Sequence, residues 1–230
     1  MPLDLSAIAD QVAGTAIFHG ITPEDTVAVL RCMRARVRTF EDGEAIFRMG
    51  EATSVFGLVL AGGVRIERTD AWGSVSVLGF VRAGEVFGES YACAPGTPLL
   101  VDALAAEQTA VLLLDVNCVL SICSERCPYH AKLISNLLAT SARKNIGLSR
   151  RAFHTSPKSI RGKLLSYLSS EAARAGGRRF TIPFNRQQLA DYLGVDRCAL
   201  STELTRMQRD GLLSTNRSEF ELFTDGGNEA

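Results

Sequence analysis

The chain has 230 residues, of which 46% are hydrophobic and 22% charged, and its 25 Lys and Arg balance 25 Asp and Glu. This length and apolar content are enough for two domains, each with its own core. No run of about eighteen apolar residues occurs, and the N-terminus lacks a basic stretch followed by an apolar one. We therefore expect a cytoplasmic protein with no membrane span, no secretory signal and six reduced cysteines.

The neutral total hides an uneven distribution of charge. From Arg143 to Ser218 there are fifteen Lys and Arg but only five Asp and Glu, a net charge of +10, so the rest of the neutral chain carries −10. A basic C-terminal part beside an acidic N-terminal part is typical of a nucleic-acid reader joined to a separate sensor.

The residue pattern of the N-terminal part changes near Val37. Residues 3–34 read as two amphipathic helical runs, interrupted near His19 and Gly20. Short segments rich in β-branched residues then alternate with glycines, and they are EAIF, SVFGLVL, GVRIER, SVSVLGF, LLVDALA and AVLLL. Many short strands separated by glycine turns predict a β-roll or barrel.

A long helix is predicted over residues 127–153, with Pro128 in its first turn, where a missing amide is harmless. Leu133 and Leu137 share one face and are expected to pack against the roll. A second face has the heptad spacing of a two-stranded coiled coil, and its residues are Ile134, Leu138, Ser141, Asn145, Leu148 and Ala152. Because Ser and Ala weaken this seam, an ordinary intramolecular helix is the alternative.

Residues 185–213 read as two short amphipathic helices joined by a tight turn at Gly194, the layout of a helix-turn-helix. Asn185 and Gln188 have the spacing of a capping box, and Asp196 is placed to cap the second helix. The apolar inner face consists of Leu189, Ala190, Leu193, Val195, Leu200 and Leu204. A small three-helix domain without a role in DNA binding is the alternative.

The second helix is predicted to read DNA. Arg197, the strongest candidate for a guanine contact, points away from the apolar face, as do Cys198, Ser201 and Thr202. The start of the first helix is predicted to hold phosphates through Asn185, Arg186 and Gln187. Three further arginines are expected to add salt-dependent affinity, and they are Arg206, Arg209 and, in a predicted wing, Arg217.

The order of these segments resembles the cyclic-AMP receptor protein/fumarate-nitrate regulator (CRP/FNR) family over nearly the whole chain. The most specific matches are EDGEAIFRMGE at 41–51, GEVFGES at 84–90 and the helix-turn-helix. HTSPKSIRGKLLSYL at 154–168 resembles the family's hinge and the first helix of its DNA-binding domain.

The resemblance implies an α+β protein with an effector-sensing jelly-roll domain at 1–126, a dimerisation helix at 127–153 and a winged helix-turn-helix domain at 154–230. It also implies a homodimeric bacterial transcription regulator whose partners are double-stranded DNA and, for an activator, RNA polymerase. Relatives commonly carry Glu and Arg where this chain has Cys198 and Thr202, so the family's usual half-site does not transfer.

The effector site departs from the family's cyclic-nucleotide binders. Gly88 and Glu89 match, but Leu99 and Leu100 replace the Arg-Ser pair that clamps the cyclic phosphate, so we expect no tight cyclic-AMP binding. The pocket is predicted to take a more apolar effector through Phe87, Gly88, Glu89, Ser90, Tyr91, Leu99, Leu100, Lys144 and Asn145. The alternative is that the leucines fill the roll and the protein is a ligand-free DNA-binding dimer.

Three other chemistries fit the sequence less well than a small effector in the roll. Cys118, Cys123, Cys127 and His130 have no standard metal or cluster spacing, although a thiol or metal sensor remains an alternative. Haem would need His19, His130 or His154 as an axial ligand. A metal-dependent cupin-type enzyme is disfavoured because the three histidines all lie outside the predicted roll, so we predict no enzyme activity.

Overall fold

A computed structural model describes residues 4–120 and 128–223 of the chain. They fall into two compact units, which divide between residues 143 and 144. The boundary between the units falls inside a long helix, between the predicted domain limits at residues 126 and 153. Within the described ranges, no helix is both long and apolar enough to cross a bilayer.

The first unit is a pair of four-stranded antiparallel sheets with helices before and after them. The sheets have the strand orders β1-β8-β3-β6 and β2-β7-β4-β5. The elements are α1 (Leu5–Val12), α2 (Pro23–Cys32), β1 (Arg36–Phe40), β2 (Ala45–Phe47), β3 (Val55–Ala61), β4 (Gly63–Thr69), β5 (Val75–Arg82), β6 (Val86–Phe87), α3 (Glu89–Ala92), β7 (Asp102–Ala105), β8 (Thr109–Asp115), α4 (Asn117–Leu120) and α5 (Pro128–Thr155).

This arrangement confirms the predicted roll and the two N-terminal helices. Each of the six predicted segments contains a strand, although the strand in LLVDALA begins only at Asp102. Two strands escaped prediction. β1 carries charged side chains and pairs only with β8, and β6 spans just two residues. Such strands are fixed by their neighbours in the sheet rather than by their own composition.

Strand β3 is buried on both faces. Phe56 and Leu58 face a core shared with α1, α2 and α5, whereas Val59 faces the interior between the two sheets. The two-residue period of a strand explains this division. Leu133 and Leu137 on α5 belong to the first of these cores, which confirms that this face of the helix packs against the roll.

The second unit combines the end of α5 with a helical cluster and a small sheet. Its further elements are α6 (Ile160–Ala175), β9 (Arg179–Thr181), α7 (Arg186–Leu193), α8 (Arg197–Arg209), β10 (Leu213–Asn216) and β11 (Glu219–Leu222). The antiparallel sheet has the order β10-β11-β9, and the β10–β11 hairpin is the predicted wing. The core contains Leu164, Leu189, Leu200, Leu204 and Phe220.

Candidate DNA interface and effector site

The first helix of the helix-turn-helix, α7, begins with the predicted capping box. The Asn185 side chain accepts a hydrogen bond from the Gln188 amide, and the Gln188 side chain accepts one from the Asn185 amide, both at 2.9 Å. Gly194 ends the helix with a φ of 62°, in the left-handed region that favours glycine. Asp196 then caps α8 by accepting a bond from the Ala199 amide at 2.8 Å. These contacts confirm the local predictions for this motif.

Helix α8 presents a polar face to solvent over a buried apolar face. Leu200, Leu204 and Met207 are buried. On the outer side Arg197, Cys198, Thr202 and Arg206 are exposed, whereas Ser201 is half-buried. The spacing of the buried residues places them on one side of the helix and leaves the predicted reading residues on the other.

Arg186 has a partner that its sequence position does not reveal. Its guanidinium donates a 2.8 Å hydrogen bond to the Thr215 hydroxyl and lies 5.2 Å from the ring centroid of Phe220. Burial lowers the pKa of Arg186 below its usual value. The side chain therefore joins the start of α7 to the wing strands, and phosphate binding by this residue stays a prediction. The neighbouring Asn185 and Gln187 are exposed.

An open groove of about 820 Å³ runs along the same face. It is lined by Asn185 and Gln187 at the start of α7, by Arg197 at the start of α8 and by Arg217 in the wing turn. Arg217 has a φ of 52°, a backbone conformation unusual for a residue other than glycine. The groove thus combines three arginines, Arg186 among them, with the amide-rich starts of two helices, which suits an anionic strand.

Two side chains from α6, both absent from the sequence-based site, support this face. Arg161 lies 2.6 Å from both Glu203 and Asp210, and these hydrogen bonds raise the pKa of Arg161. Lys163 donates to the Leu193 carbonyl at 3.1 Å, at the end of α7. Arg161 therefore neutralises two acids on or beside α8 that would otherwise repel phosphate.

In the roll, the residues of the predicted effector site divide between interior and surface. Phe87, Glu89 and Leu99 are buried, Tyr91 is half-buried and Ser90 is exposed. Leu99 is 3% exposed, but Leu100 is 64% exposed, so the two leucines face opposite environments. Lys144 and Asn145 are exposed and belong to the second unit, so their part in this pocket stays a prediction.

Close packing surrounds the buried part of this site. Gly88 has a φ of 77°, and a Cβ atom there would lie 2.9 Å from the Phe47 ring. The ring centroids of Phe47 and Phe87 are 5.4 Å apart. The Leu99 amide donates to the Glu51 carbonyl at 2.8 Å, and the Leu100 amide donates to the Tyr91 hydroxyl at 3.4 Å. Both amides at the phosphate-clamp positions therefore already have acceptors.

The cysteines and histidines form no metal site in the part of the chain that the structure describes. Two of the predicted candidates, Cys123 and Cys127, lie outside the described residues. Cys93 is an exposed residue. Partial burial of its sulfur, together with the nearby Glu89 carboxylate, nevertheless raises the pKa of its thiol. A raised pKa keeps this thiol protonated and less nucleophilic.

The predicted seam on α5 is open to solvent in the single chain. Leu138 is 70% exposed and Leu148 is 68% exposed, although both are large and apolar. Ile134 is exposed as well. A row of exposed apolar side chains on one helix face is typical of a surface that contacts another protein.

Comparison with known proteins connects both units to gene regulation. The cyclic nucleotide-binding domain family matches residues 37–126, and the Crp-like helix-turn-helix domain family matches residues 162–223. The transcriptional activator protein FnrA of Stutzerimonas stutzeri is 24% identical over 197 residues, which cover 84% of this chain and 78% of that protein.

Two solved structures share the fold. CprK in complex with OCPA has a TM-score of 0.62 at 16% identity, covering 85% of this chain and 89% of that one. The c-di-GMP responsive global regulator CLP of Xanthomonas campestris has a TM-score of 0.54 at 17% identity, covering 85% and 97%.

Proposed function

The chain belongs to the CRP/FNR family of transcription regulators, and from this premise we propose that it is a homodimer that binds promoter DNA under the control of a small effector other than cyclic AMP. α8 reads the DNA, α5 pairs the subunits and the roll senses the effector. As an activator, like the relative FnrA by name, the dimer would also contact RNA polymerase.

The observation that carries this proposal is the two-sided character of α8. Its inner side packs into the core through the buried Leu200, Leu204 and Met207, while Arg197 and Thr202 face solvent. A rigid helix with exposed donors at its first turns is what reading base edges in a major groove requires. The adjacent groove with Arg217 supports a phosphate strand running beside it.

Arg197→Ala tests the reading role. Using a duplex selected by the protein from a random pool, we expect specific affinity to fall by about 1–3 kcal/mol, whereas affinity for unrelated DNA changes little, because a bidentate guanine contact carries sequence information. Arg209→Ala is the matched control, since it removes the same charge from the far end of α8. Equal losses on both duplexes for Arg197→Ala would remove this residue from the reading set.

The exposed seam supports dimerisation. Pairing through Leu138 and Leu148 would bury both side chains, and Asn145 between them would fix the register. We expect Leu138→Glu combined with Leu148→Glu to give a monomer by sedimentation and to abolish binding to a two-fold site. A wild-type chain that sediments as a monomer at micromolar concentration would contradict the dimer.

The expectation that cyclic AMP is not the effector depends on residues 99 and 100, the positions at which cyclic-nucleotide binders of the family hold the phosphate. Leu99 and Leu100 offer no cationic group, and their amides are engaged by Glu51 and Tyr91. The relatives named above are described with different small molecules, c-di-GMP for CLP and OCPA for CprK, so the fold is compatible with varied effectors.

A thermal-shift screen followed by DNA titration tests effector control. A ligand of the native state raises the apparent stability, and an allosteric effector changes DNA affinity by about 5–150-fold. Stabilisation by cyclic AMP would overturn the exclusion. DNA affinity unchanged by every stabilising compound would favour the ligand-free dimer instead.

A further inference from the structure

A second cavity, of about 460 Å³, opens in the second unit between the last turns of α5, helix α6 and the start of the helix-turn-helix. None of the residues predicted to bind DNA or the effector lines it. A ligand bound in this cavity would therefore occupy a different site from an effector bound in the roll.

One wall of the cavity is aromatic. Phe184 and Tyr192 have ring centroids 5.1 Å apart, and Tyr167 lies 6.0 Å from Phe184 and 5.4 Å from Tyr192. Clustered rings at these distances offer faces and edges to a further planar ring. The hydroxyl of Tyr167 is buried with no hydrogen-bond partner in the described chain, an unfavourable state that a polar ligand atom would relieve.

The charged lining favours an anion. Arg150 and Arg174 both line the cavity, and the one acid there, Glu171, is already ion-paired with Arg174. Among the residues that the structure describes, Arg150 has no acidic group within salt-bridge distance. Its guanidinium is available for a carboxylate, which it can bind through two parallel hydrogen bonds.

Gly147 leaves room on the helix that forms the opposite wall. It lines the cavity, and a Cβ atom added there meets nothing within 4 Å. Glycine inside a helix is less favourable than alanine, so the open space comes at the expense of helix stability. At roughly 100° per residue, Gly147, Arg150 and His154 lie on the side of α5 opposite the seam, so pairing of two helices through the seam leaves this face of α5 uncovered.

From these observations we propose that this cavity binds a small aromatic carboxylate, with its ring against Phe184 and Tyr192 and its carboxylate on Arg150. Tyr192 belongs to α7, the helix that leads into the DNA-reading helix, and its hydroxyl contacts His154 on α5 at 2.9 Å. A ligand seated here therefore touches both sides of the junction between α5 and the helix-turn-helix. An effect of the ligand on DNA affinity rests on the proposed function, whereas binding itself does not.

Calorimetric titration of the full-length protein without DNA tests the site. The probes are benzoate, 4-hydroxybenzoate and indole-3-carboxylate, with benzamide as the uncharged counterpart. We expect saturable binding of at least one carboxylate, binding of benzamide at least tenfold weaker, and a loss of about tenfold in Arg150→Gln, because a charge-assisted hydrogen bond is removed.

A space-filling variant separates this cavity from any other site. Gly147→Phe places a ring in the open volume and is expected to abolish binding, whereas Gly147→Ala improves the helix at least as much without placing a ring there and is expected to retain binding. Circular dichroism and thermal denaturation check that both variants fold.

Three results would overturn the proposal: no saturable carboxylate binding at millimolar concentration, equal binding of benzamide, or unchanged affinity in Gly147→Phe. Separate titration of the ligand-free protein with its selected duplex tests the regulator function. Failure of the cavity to bind a carboxylate can thus be distinguished from failure of the protein to bind DNA.

Discussion

The two halves of α5 are anchored by different chemistry. In the N-terminal half, Leu133 is fully buried in the core that the roll shares with the first helices. One turn later the Asn136 side chain donates hydrogen bonds of 2.9 and 2.8 Å to the carbonyls of Ile17 and His19. Apolar burial, with one amide satisfying two carbonyls, holds this half to the first unit.

In the C-terminal half the anchors are polar and lie in the second unit. Arg151 donates to the carbonyls of Tyr192 and Asp191 at 3.0 and 2.9 Å, and its guanidinium lies 5.6 Å from the centroid of the Tyr192 ring. These carbonyls lie in the last turn of α7, where the Asp191 carbonyl also accepts a 3.3 Å hydrogen bond from the Gly194 amide. A single continuous helix is thus attached by burial at one end and by directional bonds at the other, and the two attachments respond to different perturbations.

The largest expected effect is at the buried end. Leu133→Ala leaves a cavity and is expected to destabilise the first unit by about 2–5 kcal/mol in urea denaturation followed by fluorescence. Ile146→Ala is the control on the same helix, and because Ile146 is 53% exposed and lies outside the seam we expect a change within about 0.5 kcal/mol. Similar losses for both variants would mean that burial does not distinguish the two faces.

A smaller effect is expected at the polar end. Arg151→Met keeps the length of the side chain but removes both donors, and we expect a loss of about 1–3 kcal/mol, because the Tyr192 carbonyl loses its partner and the Asp191 carbonyl keeps only the Gly194 amide. The matched variant Arg150→Met, one residue away and exposed, is expected to be nearly neutral. Hydrogen exchange in α7 reports the local change, and unchanged exchange in Arg151→Met would show that the anchor contributes little.

The smallest expected effect depends on pH. Burial lowers the pKa of His154 below its usual value of 6.5, which the Glu171 carboxylate partly opposes and Arg150 reinforces. Because the unfolded chain then binds the proton more readily, stability is greatest above about pH 6.5 and falls as the pH decreases towards the lower pKa of the folded state. His154→Phe should reduce this pH dependence in thermal denaturation between pH 5 and about 7.5. If His154→Phe leaves the pH dependence of stability unchanged, that dependence belongs to other titratable groups.

Sequence reasoning succeeded where the determinants were local. The capping box of Asn185 and Gln188, the turn at Gly194 and the cap at Asp196 involve residues at most three positions apart, so their spacing was enough. The β-roll and the packing of Leu133 followed from periodicity, whereas the complete fold class followed from the resemblance to the CRP/FNR family.

What the sequence did not reveal depends on distant acceptors. Lys163 and Arg151 bind backbone carbonyls, which have no signature in the sequence. Adjacent leucines at 99 and 100 look alike in the sequence, yet one is buried and the other exposed. They lie outside a regular strand, so no periodic pattern indicates which of them faces the core. The effector residues therefore remain less well defined by sequence than the DNA face.

The bond between Arg186 and Thr215 has a mechanical consequence for DNA recognition. It connects the start of α7 to the wing. The distance between the α8 side chains and the wing turn is therefore fixed by the protein rather than by the DNA. A duplex must then adjust its groove width and bend to this spacing. Since such deformation costs less in some base sequences than in others, we expect preferences at base pairs that no side chain touches.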